Sequence, residues 1–188
     1  MEQMGIREQG NGRRYKKDTE GLTAFFREIA ALHTIEQVTF LCIGTDRSTG
    51  DALGPLTGSR LLDYGFPYVV GTLPNPCDAD NLLAQVAAIP PGQIIIAVDA
   101  CLGTLLTRGS YLTAAGPLQP AQSVGLKLPA IGHYSIAAIV DVNGPKPYHT
   151  LQTTPLHRVM VMAEQISGAA ATGFGLEAYG RFKGSSLA

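Results

Sequence analysis

The chain has 188 residues, 45% of them hydrophobic and only 15% charged, and its 14 basic and 15 acidic residues leave a formal net charge of −1. Scaling of accessible surface with mass predicts that about 70% of the unfolded surface leaves water on folding, enough for one full core without staples. So weak a net charge argues against a broad nucleic-acid footprint, and so few charges argue against a disordered chain or a coiled coil.

Residues 1–18 are polar, carry Gly, Asn and several Lys and Arg, and have no hydrophobic period. They read as a loose arm without the apolar stretch of a signal peptide. From Thr19 the spacing is helical, with Leu22, Phe25, Phe26, Ile29, Ala30 and His33 on one face. The wholly apolar run Val38–Ile43 then reads as a central strand of a sheet covered on both faces. A helix is predicted over Leu53–Leu62, a strand over Tyr68–Leu73, and a helix capped by Asp78 that carries Leu82, Leu83, Val86 and Ala87. Pro90-Pro91-Gly92 stops that helix, and Gln93–Val98 is a second apolar strand. Gly109–Thr113 and Ile136–Val142 read as further strands, with a short one over Tyr148–Gln152. Thr154-Pro155 starts a last helix with Leu156, Val159, Met160, Ala163 and Ile166 as its stripe and Gly168 as its end. Residues 19–172 are thus expected to form one domain, and 173–188, rich in Gly and Ser, a frayed tail. Alternation of strands and helices implies an α/β fold with a mainly parallel sheet. Three cysteines (Cys42, Cys77 and Cys101) without a CxxC spacing favour a reducing compartment, and no apolar run approaches the ~20 residues needed to span a bilayer. A cytoplasmic location is the expectation.

In an open α/β sheet, ligands bind beyond the carboxyl ends of the strands. Asp51 follows the loop after the first apolar strand, Asp99 comes directly after Ile94–Val98, and His133 stands before the strand that begins near Ile136. We expect the three to line one cleft. A carboxylate at the end of an apolar strand is costly unless paired, hydrated or metal-bound. Two carboxylates that share a site keep one proton between them near neutral pH, which suits general acid–base hydrolysis. Asp51, Asp99 and His133 are equally a candidate ligand set for a zinc or nickel ion with an open position. Each also has a plain structural reading: Asp51 as a helix N-cap, Asp99 as the cap of a turn, His133 as a loop hydrogen-bonding group.

Other motifs carry less. The loop Gly44–Asp51 lacks the Gly-Lys-Ser/Thr of a phosphate loop, no GxGxxG supports dinucleotide binding, and no GxSxG elbow is present. Cys101 beside Asp99 could pair with His133 as a nucleophile, but a neighbouring carboxylate raises a thiol pKa and so weakens that reading.

The segment Ile43-Gly44-Thr45-Asp46-Arg47-Ser48-Thr49-Gly50-Asp51-Ala52-Leu53-Gly54-Pro55, with Val98-Asp99-Ala100, resembles the YyaC-like sporulation proteins. Gly132–Ile136 and Leu151–His157 also look like that group, and the likeness covers roughly residues 35–170. These proteins are similar to the germination protease of spore-forming bacteria, an aspartate-dependent endopeptidase for small acid-soluble spore proteins, and more distantly to hydrogenase maturation endopeptidases. Against the latter, Thr45 replaces an asparagine and Gly50 the first acid of an acidic pair, while Gly44 and Gly54 keep the frame. The resemblance implies a three-layer α/β/α sandwich of the phosphorylase/hydrolase type with a mixed, mainly parallel sheet. It implies Asp51 and Asp99 as the two catalytic aspartates and His133 as an orienting or metal-binding group, with Thr45, Asp46 and Gly54 placed for substrate. The partner it implies is a protein or peptide, such as a small acid-soluble spore protein, in a sporulating cell or spore. The rival expectations are a non-catalytic peptide- or partner-binding protein on the same fold, and a metal-dependent maturation protease.

Overall fold

The computed structural model describes residues 14–120 and 129–176. A short strand β1 (Tyr15–Lys17) leads into helix α1 (Thr19–Ala30), whose Asp18 caps it by accepting the Gly21 N–H at 2.9 Å. After one 3-10 turn come strand β2 (Val38–Cys42), helix α2 (Leu53–Asp63), a two-residue strand β3 (Val69–Val70) and helix α3 (Leu82–Ala87). Strands β4 (Ile94–Gly103), β5 (Tyr111–Ala114) and β6 (Tyr134–Val142) follow, then helices α4 (Pro147–Thr153) and α5 (Leu156–Gly173). One sheet of order β1-β5-β6-β4-β2-β3 joins all six strands. β3, β2, β4 and β6 run parallel, and β5 is antiparallel to both β6 and β1. The fold is a mixed α/β three-layer arrangement.

The strand period of two sorts the apolar residues onto two faces. Val38, Phe40 and Cys42 of β2, with Ile96, Val98 and Ala100 of β4 and Ile136, Ala138 and Val140 of β6, join Leu22, Phe26, Leu53, Leu61, Val159 and Ile166 from α1, α2 and α5. Leu41 and Ile43, Ala97 and Ala137 point to the other face and pack with Cys77, Leu82, Leu118 and Ile131. Each large aliphatic side chain so buried contributes about 1.5–3 kcal/mol. Both faces of β2 are covered, which is why all five of its residues are buried without alternation and its one polar residue, Thr39, donates its hydroxyl to Gln93 Oε1 at 3.0 Å.

Several local expectations change. Residues 15–17, in the segment read as an arm, are an edge strand paired with β5. The strand expected over Tyr68–Leu73 shrinks to two residues. The strand expected over Tyr148–Gln152 is helix α4, started by Pro147 in its first turn, where a missing N–H costs nothing. Gly168 does not end α5, which runs to Gly173, and its inward stripe is Val159, Met162, Ala163 and Ile166, with Leu156 and Met160 exposed. Thr154 spends its hydroxyl on the Thr150 carbonyl and caps nothing. Asp78 accepts the Asp80 N–H ahead of α3, and Asn81 stands at the cap position. Of the expected tail, residues 177–188 lie outside the described residues, as do 1–13 of the arm.

Candidate functional site

Between β2 and β4 the chain divides. β2 leads to β3 on one side, whereas β4 leads to β5 and β6 on the other. The loops leaving their carboxyl ends therefore part, and such a switch point leaves a crevice. A cleft of about 650 Å³ lies there. Its wall includes Ile43, Gly44, Thr45, Arg47, Ser48 and Asp51 after β2, Asp78–Asp80 before α3, Asp99–Leu102 on β4, and Pro147, Tyr148 and Leu151 on α4.

Two glycines bring the β2 loop into place. Gly44 has φ +147°, and a Cβ on it would stand 1.9 Å from the Asp51 carbonyl oxygen. A Cβ on Gly54 would stand 2.0 Å from the Ile43 carbonyl oxygen. With hydrogens only at these points, the start of α2 lies directly against the end of β2, and Asp51 faces the cleft. Gly54, expected at the substrate, is instead buried in this backbone contact and does not line the cleft.

Asp51 is half-buried, and no side chain caps α2, whose first-turn cap position is Ala52. The N-cap reading of Asp51 therefore falls away. Burial pushes its carboxyl above the ordinary carboxylate range, and the Ser48 hydroxyl opposes that rise. Ser48 is 4% exposed, and its Oγ reaches full hydrogen-bond geometry with no partner. A buried hydroxyl left so costs about 1–3 kcal/mol.

Asp99 is not beyond its strand but within it. β2 pairs with β4 only as far as Cys42 against Val98, so Asp99 is the first residue past that ladder, while pairing with β6 continues through Asp99 opposite Ala137. Its Oδ1 accepts the Ala100 N–H at 2.8 Å. Cys77, buried below, is pushed up to about 12 by burial first and then by Asp78 and Asp99. Burial likewise raises Cys42. Neither is an activated thiol. Cys101 lines the cleft, but His133 is nowhere near it.

His133 precedes β6, and β6 runs parallel to β4. It therefore lies at the amino edge of the sheet. Ala137 is the β6 residue opposite Asp99, and four residues at about 3.3 Å each put His133 roughly 13 Å back along the strand. Its Nδ1 accepts the Ile95 N–H at 2.9 Å and its own N–H donates to the Ile95 carbonyl at 2.8 Å. The structure therefore brings Asp51 and Asp99 to one cleft and leaves His133 out. The zinc or nickel set of Asp51, Asp99 and His133 is not assembled, and among the described residues no three His, Cys, Asp or Glu side chains are grouped to hold a metal. The donors present do not fit such an ion.

Of the other expected residues, Thr45 lines the cleft and its Oγ1 accepts from the Arg47 backbone N–H and Nε at 3.4 and 3.2 Å. Asp46 is exposed and outside the cleft wall. Arg47 reaches to Asp78 with an ion pair of 2.9 Å, and both residues belong to the cleft wall. Residues that sequence reasoning passed over are Ser48, Tyr148 and Leu151. Ser48 lay inside a motif already singled out, three residues before Asp51, whereas reading α4 as a strand hid the other two.

The chain resembles known proteins over this same frame. It is 41% identical over 135 residues to the uncharacterized protein YyaC of Bacillus subtilis (strain 168), a match covering 69% of this chain and 66% of the length of that relative. Residues 13–169, which include β1 and most of α5, match the family described as protein of unknown function DUF1256. The chain belongs to that family, and the cleft with Asp51 and Asp99 lies wholly inside the matched region.

Proposed function

We propose that this chain is an aspartate-dependent endopeptidase of the sporulating cell or spore, in which Asp51 and Asp99 act as a pair. One observation carries the reading: a half-buried carboxyl, raised by burial and not used as a cap, opens into the same cleft as a second carboxyl. Such a group holds a proton at a higher pH than an ordinary aspartate and is suited to general acid work. In the proposed reaction Asp99 accepts a proton from a water as that oxygen attacks the scissile carbonyl carbon. The protonated Asp51 then gives its proton to the leaving nitrogen, the C–N bond breaks, and a carboxylic acid and an amine result. The roles then reset by transfer of the proton from Asp99 to Asp51 through solvent.

The apolar wall supplied by Ile43, Ala100, Leu102, Leu112 and Leu151 suits apolar side chains of an extended peptide. Resemblance to the germination protease supplies the candidate substrate, a small acid-soluble spore protein. A non-catalytic peptide-binding role on the same fold is favoured by one feature, the bond that Asp99 accepts from Ala100, since it occupies one carboxylate oxygen. The deciding experiment incubates the purified chain with a small acid-soluble spore protein, beside Asp51→Asn and Asp99→Asn. Cleavage lost in both variants supports the peptidase. Binding without cleavage by the wild type supports the binding protein.

A further inference from the structure

Ser48 is a buried polar side chain of the cleft wall with no use in the reaction just described. Ser48 sits three residues before Asp51, in the loop held by Gly44 and Gly54, and its carbonyl accepts the Ala52 N–H at 2.9 Å. Its backbone is therefore fixed to the residue after Asp51. Its hydroxyl is buried and has no hydrogen-bond partner at full geometry. An atom so enclosed cannot touch a substrate or bulk water without moving. Its partner must come from the wall itself, because an unpaired buried hydroxyl is unstable against any small rotation that pairs it. The carboxyl nearest along this turn is that of Asp51, three residues on, and it lines the same cleft.

We propose that Ser48 is a positioning residue: its hydroxyl donates to one oxygen of Asp51 and so turns the other oxygen toward the cleft. This deepens, and rests on, the reading of Asp51 as the proton donor. A hydroxyl that can only donate to the ionised form stabilises Asp51 once its proton has left, which is the state reached as the C–N bond breaks. The interaction is thus stronger late in the reaction than with substrate merely bound, and its loss should appear in kcat and not in KM. A hydroxyl that only filled space would show no such split.

Two measurements on the full chain test this. The first is a double-mutant cycle by urea unfolding with Ser48→Ala, Asp51→Ala and the double variant. The expected result is that Ser48→Ala lowers the folding equilibrium constant about tenfold with Asp51 present, the scale of one ordinary hydrogen bond, and less than threefold with Asp51→Ala. Equal effects in the two backgrounds overturn the proposal. The second measures cleavage of a small acid-soluble spore protein. Ser48→Ala should lower kcat about tenfold with KM within about twofold, and Ser48→Thr, which keeps the hydroxyl, should restore most of the rate. Loss of rate in Ser48→Ala that Ser48→Thr fails to restore, with both variants folded, also overturns it. Coupling between Ser48 and Asp51 in a wild type that cleaves nothing would remove the peptidase reading and leave the contact itself standing.

Discussion

At the carboxyl edge of the sheet β2 and β4 send their chains in opposite directions, whereas at the amino edge β4 and β6 enter side by side. The first edge opens into a cleft holding Asp51 and Asp99. The second is closed by His133, which takes up the N–H and carbonyl of Ile95 on the neighbouring strand. Both edges carry polar residues flanking apolar strands, yet they do different work. Where strands diverge, backbone groups and side chains are left for a ligand. Where strands run together, the same kind of side chain is consumed in tying their first residues.

That contrast predicts its largest effect in catalysis. Asp51→Asn and Asp99→Asn should each lower peptide cleavage by about 10²–10⁴-fold, the usual contribution of general acid–base groups. His133→Ala should leave kcat unchanged. Parallel steady-state assays check this, and a comparable loss in His133→Ala would break the distinction between the edges.

The next effect lies in the glycines that build the open edge. Gly44→Ala must relieve a 1.9 Å approach to the Asp51 carbonyl at a positive φ, and Gly54→Ala a 2.0 Å approach to the Ile43 carbonyl. Each should cost about 3 kcal/mol, since overpacking against backbone leaves little room to relax. Urea unfolding measures it. Gly65→Ala, with open space at its Cβ but φ +92°, separates strain from crowding and should cost less, about 1 kcal/mol.

A smaller effect sharpens the role of Asp51. Its folded pKa is raised by burial above the unfolded value. The stability linked to the protonated form is therefore fully present below the unfolded value, near 3.9, and is lost as pH rises through the folded one. Asp51→Asn, which never ionises, should be more stable than the wild type at neutral pH, and the gain should shrink as pH falls below that range. Unfolding of both proteins at neutral and acid pH tests the sign. A variant stabilised equally at both would mean that ionisation of Asp51 is not what costs stability.

The smallest effect belongs to the closed edge. His133 is exposed, so water can replace Nδ1 as the acceptor for the Ile95 N–H, and His133→Ala should cost no more than about 0.5–1 kcal/mol. Thermal unfolding reads this directly. A loss several times larger would show the amino edge to be a structural lock and not a local tie.

Composition and periodicity alone determined much of this protein. The i, i+3, i+4, i+7 stripe of Leu22, Phe25, Phe26 and Ile29 made α1 legible, and unbroken apolar runs marked β2 and β4, because both signals depend on neighbours within a few residues. The placing of Asp51 and Asp99 in one cleft was legible for a related reason: each follows an apolar strand segment, and in a parallel sheet such segments end at the same carboxyl edge. What only the tertiary structure decided depends on contacts distant in sequence. Tyr148–Gln152 reads as a strand in isolation, yet Pro147 starts a helix there that walls the cleft. The sense in which a residue flanks a strand also matters: His133 precedes β6, so the same parallel alignment that carries Asp99 to the cleft carries His133 away from it. Ser48 looked like one more loop polar residue until packing buried its hydroxyl in the cleft wall, since burial is a property of the assembled wall and leaves no trace in local sequence.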